Sequence, residues 1–477
     1  MGQDYKIKGP VVGARHLQAV LINLAMLTCY LQRVNISLSV IAMTDSKTTN
    51  PDFPEYDWDE KQRSYIISSF FWGYIVTQFP GGFMARKFGV KITIFTAMFG
   101  SSLFNLLIPF CVPWGQWQVY CAIRVIQGLF QGLVFPSAHT HLAMWSPPEE
   151  RTFLGGLCHL GVETGTILAM VLTGIIAASD IGWPGISYVY GGTGIVFCVL
   201  WFIFAENSPT NARFITSGER NYILNSQGCI EGETKANSPI PWKSIFTSVP
   251  FISLLLVRIG HNWGSSTTQS QIPIYLHGVL NMNILSNSFY SSLPHIATWV
   301  LSFVYFTAAE VVLKNKWASL SVVRKTINTI ALWGPAAMLI AVGFLESDQK
   351  VLAITLLTLN EGLNGGHTVG SLLNLIDLSP NHTAVLTAVL NCITNTVPMI
   401  TPLVVGMIVY DETQRTLWQI VFIIAAGFFF FGNLQYLFFG STDAQPWNYA
   451  EVIHKNESEQ KRNSEVSRNE KKLILVL

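Results

Sequence analysis

The stretch Gln127-Gly-Leu-Phe-Gln-Gly132 returns 234 residues later as Glu361-Gly-Leu-Asn-Gly-Gly366, each copy inside a long apolar run. Two weaker echoes keep the register. Ser146-Pro147 returns after 233 residues as Ser379-Pro380, and Gly174-Ile returns after 232 as Gly406-Met-Ile. Each pair alone is common by chance, but three in register at half the chain length indicate two duplicated bundles.

Outward from these copies, apolar windows bounded by charge, Pro and Gly predict twelve helices near 17–43, 64–85, 91–111, 118–145, 152–178, 186–205, 249–276, 288–311, 326–345, 351–375, 383–409 and 416–439. Each is long enough to cross about 30 Å of hydrocarbon. Composition agrees, since 50% of the 477 residues are hydrophobic and only 12% charged, about half the charged fraction of a soluble domain. The pattern excludes a soluble protein, a single span and an outer-membrane barrel, leaving an all-α membrane protein. A net charge of +1 offers nucleic acid no electrostatic footprint. The seven cysteines lie mostly in apolar segments without metal-ligand spacing and read as buried thiols.

The first 16 residues carry Lys6, Lys8 and Arg15 with no cleavage site behind the first apolar run, so that run reads as a retained span. The connection 206–248 divides the chain into bundles 17–205 and 249–440, followed by a polar tail, 441–477, that reads as disordered. The N-terminus, even loops and C-terminal tail hold 21 Lys and Arg, the odd loops 5. By the positive-inside rule both termini are cytoplasmic.

The three remaining basic residues, Arg33, Arg124 and Arg258, fall inside predicted spans, as do Glu163 and Glu361. An ionisable group at mid-membrane costs a few kcal/mol or more unless it is paired or faces water, so its position reports on a cavity. These five occupy the first, fourth, seventh, fifth and tenth windows, whereas the third, sixth, ninth and twelfth have none. Two bundles that place windows one, four, seven and ten around a central cavity, and three, six, nine and twelve against lipid, reproduce this distribution. Two arginines on neighbouring cavity helices make an electropositive chamber suited to a carboxylate or phosphate. The competing reading pairs Arg124 with Glu163 as a structural ion pair. Glu163, Gln131 and Glu361 lie near mid-membrane as candidates for cation coupling. His261 is a candidate substrate donor or a structural histidine, and Arg258, one turn towards the cytoplasm, is a candidate gate residue.

Gly128 with Gly132, and Gly161 with Gly165, read as helix-packing pairs. Walker, HExxH, GxSxG and Cys/His zinc patterns are missing from the sequence, so neither an ATP-driven pump nor an enzyme is indicated, and no cofactor is expected beyond a coupling cation.

Longer motifs carry a family resemblance. Tyr30-Leu-Gln-Arg33-Val-Asn-Ile-Ser-Leu-Ser-Val40, Ser69-Phe-Phe-Trp-Gly-Tyr-Ile-Val-Thr-Gln-Phe-Pro-Gly-Gly82, Arg124-Val-Ile-Gln-Gly-Leu129, Trp145-Ser-Pro-Pro-Glu-Glu-Arg151 and Asn374-Leu-Ile-Asp-Leu-Ser-Pro380 occur in order. Together they resemble the anion:cation symporter branch of the major facilitator superfamily, which includes sodium-phosphate cotransporters, sialin and vesicular glutamate transporters. Val323-Arg-Lys-Thr-Ile-Asn-Thr-Ile330 and Trp333-Gly-Pro335 are most similar to insect proteins called putative inorganic phosphate cotransporters.

The resemblance implies twelve helices in two pseudo-symmetric six-helix bundles that rock about a central site, with Arg33 and Arg124 as its substrate-anion arginines. It also implies departures. Gln131 stands where vesicular and lysosomal members have a proton-coupling glutamate, Ile67 and Leu375 replace histidines of the glutamate transporters, and His261 replaces their seventh-span arginine. The segment Gly82-Phe-Met-Ala-Arg-Lys-Phe-Gly89 resembles the superfamily's cytoplasmic gate, formed here by Arg86 and Lys87, with Arg86 in a usually acidic place; Glu310 is its counterpart in the second half.

The resulting expectation is a monomeric plasma-membrane symporter that carries inorganic phosphate or a small organic anion inward with Na+, or else with H+. The alternatives are a proton-coupled exporter of acidic sugars or amino acids in a lysosomal or vesicle membrane, and an anion sensor or channel-like protein without coupled turnover.

Overall fold

The computed structural model describes residues 10, 12–147, 150–226, 240–380 and 382–449, among which there is no strand. Most of the N-terminal 1–16 segment and the tail from 450 lie outside them. In chain order the helices are α1 (Ala14–Val34), α2 (Ile36–Thr44), α3 (Glu60–Phe88), α4 (Val90–Gln131), α5 (Val134–Trp145), α6 (Arg151–Ala177), α7 (Gly182–Phe204), α8 (Ser217–Ser226), α9 (Trp242–Phe246), α10 (Val249–Gly278), α11 (Ile284–Lys314), α12 (Leu320–Gly343), α13 (Lys350–Asn364), α14 (Asn374–Leu378), α15 (Thr383–Thr394), α16 (Val397–Ile408) and α17 (Arg415–Phe439), with a π-helical turn at Thr368–Leu372.

Among the described residues, eight helical segments are long and apolar enough to cross a membrane. One of them, Val90–Trp145, holds two predicted windows and is broken at Gln116, whose φ of 52° and ψ of −151° are not helical. The windows near 64–85, 249–276 and 351–375 are helical too but less apolar. They bury Gln78, then Arg258 and His261, then Asn360, Glu361 and Asn364. The opposite extreme is found on α7 and α17, which expose Val196, Val199, Phe202, Phe431 and Phe438. Large apolar side chains left outside are stable there only in contact with lipid.

Several windows are interrupted for identifiable reasons. The first breaks at Asn35, whose side-chain amide donates to the Leu31 carbonyl at 2.5 Å while its Oδ1 accepts from Ser39. The eleventh breaks at Asn395-Thr396, where Pro398 supplies no backbone N–H to the ladder. The connection 206–248 carries α8 and α9 where the sequence suggested only loop. Glu219 of α8 caps the start of α1 by accepting from the backbone N–H groups of Ala14 and Arg15 at 2.9 and 3.1 Å.

Within each half, helices approach closely where glycine permits. A Cβ at Gly128 would run into the Phe70 carbonyl oxygen, and one at Gly165 into that of Leu27 at 2.5 Å. The halves meet where α3 packs on α16, α6 on α11 and α2 on α10. The described polar ties between them run from the end of the bundles that carries Asp45 and Glu412, through Ser37 to the Ser270 carbonyl at 2.7 Å and Ser68 to the Met399 carbonyl at 2.5 Å, down to Asn395 and Gln78 at 2.9 Å. Among the described residues no polar tie between the halves lies nearer the opposite end, which carries Arg15 and Arg324.

Candidate functional site

Arg33 and Arg124 are brought together at the bundle interface, in a narrow cavity that also touches Ser37, Phe71, Ser266 and Gln269. α1 and α4 position them. The Arg124 guanidinium donates to the backbone carbonyls of Gln32 and Arg33, each at 3.2 Å, and to Gln127 Oε1 at 3.3 Å, while its Nε has no partner. Arg33 sits among the rings of Phe71, Tyr74, Tyr30 and Phe70 at 4.8 to 5.3 Å, and Arg124 lies 4.9 Å from Phe70. Aromatic faces stabilise a guanidinium without neutralising it, so both positive charges remain available to an anion. Three of the four rings, Phe70, Phe71 and Tyr74, lie in the motif Ser69-Phe-Phe-Trp-Gly-Tyr74 and the fourth, Tyr30, in the motif around Arg33, but these residues are neutral and carry no signal of a site in the sequence.

Among the described residues neither arginine forms an ion pair. The reading of Arg124 as the counter-ion of Glu163 is therefore corrected: the guanidinium is fixed by carbonyl groups instead. Glu163 lies half-buried on α6, within electrostatic reach of Tyr30 and of Glu361 across the interface. Glu361 accepts a very short hydrogen bond from the Thr268 hydroxyl. Gln131 is engaged on both sides, donating to Ser101 Oγ at 2.8 Å and accepting from Cys29 Sγ at 3.0 Å.

In the C-terminal half, His261 is buried on α10 and stacks on His367 with 3.6 Å between ring centres. The sequence analysis singled out His261 but not His367, whose Gly-rich surroundings in the tenth window carry no signal until its neighbours are known. It follows Glu361 by six residues, beyond Gly365 and Gly366. Arg258 is buried with Nη1 unpartnered, and it acts electrostatically on both imidazoles. This places it beside the candidate site. Arg86, Lys87 and Glu310 are exposed, and among the described residues none of them forms an ion pair; Lys87 lies over Phe88 at 5.3 Å.

Ion pairs occur elsewhere. At one end of the bundles Arg15 is bound by Glu150 at 2.6 Å and Glu219 at 3.0 Å, and Arg324 by Asp377 at 2.9 Å. At the opposite end, His277 lies 3.0 Å from Asp45 and 3.4 Å from Glu412, which also meets Arg63 at 3.2 Å. Burial disfavours the His277 imidazolium, but Glu412 and Asp45 outweigh it and hold the ring above its ordinary range. Burial likewise raises Glu412, yet His277 and Arg63 keep it below the usual carboxylate range. Asp45 is also low, because Thr48 and His277 overcome its partial burial.

A family model described as "Major Facilitator Superfamily" matches residues 24–393, and the chain belongs to that superfamily. It is thus a multi-pass membrane protein of a transporter family and not an enzyme. Among its relatives, the Drosophila melanogaster "Putative inorganic phosphate cotransporter" is 34% identical over 92% of this chain and 87% of its own length. Human sialin is 30% identical over 91% and 90%, and bovine vesicular glutamate transporter 1 is 30% identical over 91% and 78%. The fold is shared with a bacterial homologue of the human lysosomal transporter Spinster in its inward-facing, unoccupied form, with TM-score 0.66, 15% identity and coverage of 91% of this chain and 99% of that one. It is also shared with a D-xylose-proton symporter, with TM-score 0.64, 14% identity and coverage of 86% and 96%.

Proposed function

We propose that this chain is a cation-coupled symporter that carries inorganic phosphate or a small organic anion inward across the plasma membrane by alternating access, with both termini cytoplasmic and the chain acting as a monomer. The observation that carries the reading is the pair Arg33 and Arg124 at the bundle interface, charged, caged by aromatic rings and without an acidic partner among the described residues. An oxyanion entering between them gains charge-assisted hydrogen bonds that nothing else there supplies. The names of the relatives, a phosphate cotransporter and carriers called sialin and vesicular glutamate transporter, agree with an anionic substrate.

Na+ is the first choice of coupling cation, because Gln131 cannot ionise and is already fully bonded. A second reading, proton-coupled export from a lysosomal or vesicle membrane, is favoured by Glu163 and Glu361 lying within reach of each other across the interface. Proteoliposomes separate the two. Radiolabelled phosphate, and in parallel sialate, glutamate and urate, would be supplied under an imposed Na+ or H+ gradient with voltage clamped by ionophores. Na+-driven phosphate accumulation supports the first reading, and H+-driven movement of an organic acid replaces it with the second. Binding without accumulation under either gradient identifies a sensor and overturns both.

A further inference from the structure

A groove of about 710 Å³ lies between α10 and α17 and shares no residue with the arginine cavity. Its volume falls in the range of small-molecule sites, about 300 to 1,000 Å³. The walls are apolar side chains, among them Leu256, Ile259, Ile424, Phe431, Leu434 and Phe438. Phe431 and Phe438 are 67% and 75% exposed, so this face meets lipid. The walls are also held in place. Phe428 stacks on Trp263 with 4.2 Å between ring centres, and Gly260 lets the two helices touch, since a Cβ there would lie 2.5 Å from the Phe428 carbonyl oxygen. Gly427 is different. A Cβ at that position meets nothing within 4 Å, so no helix contact requires this glycine, although it disfavours the helix relative to alanine. What its missing side chain does is leave the groove open.

Every described lining residue is apolar or glycine except Gln435. The Gln435 amide nitrogen donates to the Ser253 carbonyl at 2.9 Å and to the Gly432 carbonyl at 2.8 Å, which uses both of its hydrogens. Turning the amide over would set its oxygen against those two carbonyl oxygens, so the orientation is fixed. Oε1 is left as an acceptor with no donor among the described residues. Phe438 and Phe439 carry the lipid-facing surface about 6 Å beyond Gln435 along α17, and hydrocarbon supplies no donor at that depth. In the other direction the groove follows α17 for about 17 Å to Ile424. This is close to the roughly 15 Å of hydrocarbon in one leaflet.

We infer that the groove binds a sterol, with its rings and tail lying along α17 from Gln435 towards Ile424 and its 3-hydroxyl donating to Gln435 Oε1. A sterol carries one donor at one end of a rigid apolar body, which matches a groove with one open acceptor near one end. A phospholipid acyl chain brings no donor, and it would lose rotational freedom along its length in a groove of fixed shape. A fused ring system has little such freedom to lose. The site lies outside the transport reading and does not depend on which anion is carried.

The test uses full-length protein in phosphatidylcholine vesicles and a cholesterol bearing a photoreactive diazirine in its rings, with cross-linked peptides mapped by mass spectrometry. The expected labelling saturates, falls within 256–260 of α10 and 424–439 of α17, and is displaced by unlabelled cholesterol. Cholesterol 3-methyl ether keeps the shape but cannot donate, so it should compete about fivefold more weakly, the worth of one hydrogen bond. In Gln435→Met the two should compete equally. Gly427→Leu fills the groove and should lower labelling at least about tenfold; unchanged labelling of that variant overturns the inference. Labelling that rises linearly with probe, or spreads over other lipid-facing helices, identifies surrounding lipid only and overturns it as well. So does competition by the ether or by dioleoylglycerol equal to that of cholesterol in wild-type protein, an arm that stands whether or not either variant folds.

Discussion

Arg124 is the residue on which most of the account turns. Its guanidinium is held by two backbone carbonyls and Gln127, leaving its charge uncompensated. Arg124→Ala is expected to lower anion uptake at least about tenfold in protein that still reaches the membrane, the cost of one charge-assisted bond. Arg124→Lys keeps the charge but loses the planar fork, so it should fall between wild type and alanine; near-normal uptake by the alanine variant would contradict the role. Gln131→Glu carries a second prediction. The Gln131 amide nitrogen lies 2.8 Å from Ser101 Oγ and 3.4 Å from Gln32 Oε1. A carboxylate there would meet the Gln32 oxygen, which favours its protonated form. Uptake should therefore become more proton-dependent, and an unchanged pH profile would remove Gln131 from coupling. At this scale the charged residues were legible in the sequence, because charge inside an apolar window has few explanations. Tyr74, Phe70, Phe71 and His367 were not, because aromatic and neutral imidazole groups are ordinary there until their neighbours are known.

At the scale of helices, the apolar windows anticipated most boundaries to within a few residues, since length and hydropathy set them. The breaks at Asn35 and Gln116 were hidden, because each depends on a side-chain hydrogen bond or a single backbone angle. The docking of α8 was hidden for a similar reason, as it rests on Glu219 meeting α1 from 204 residues away. The glycine pairs were readable as helix contacts but not their partners. Gly128→Leu is expected to separate α3 from α4, since even a Cβ collides with the Phe70 carbonyl. A loss of about 2 kcal/mol or more, typical of overpacking, should appear as a lower melting temperature in detergent. A Gly156→Ala control meets nothing within 4 Å and should melt like wild type.

For the whole molecule, the cluster of Asp45, His277, Glu412 and Arg63 ties one bundle to the other. Its pH dependence follows from the three shifts. The His277 contribution is complete at low pH and is lost as pH rises through the ring's raised value, whereas those of Asp45 and Glu412 are lost as pH falls through their lowered values. The tie is strongest between the carboxylate range and the raised imidazole range, and alkaline pH should release it. In the proposed orientation, a cysteine at Ile67, on the cavity wall, in a background without native cysteines, should gain reactivity towards an impermeant outside maleimide between about pH 6 and pH 9 by more than it does in His277→Ala, where the rate rises only with the thiolate fraction. An equal rise in the two would dismiss the tie. None of this cluster was foreseen, because its members are far apart in sequence and each is an unremarkable loop or helix-end charge alone.

The central claim is that the two bundles carry an anion between the sides of the membrane. Counterflow tests it most directly: proteoliposomes loaded with unlabelled phosphate, sialate, glutamate or urate, with Na+, H+ and voltage equal on both sides, are given a trace of the same labelled anion outside. The account predicts transient accumulation of label for at least one of these anions, abolished by Arg124→Ala. No accumulation of any of them by wild-type protein would contradict it.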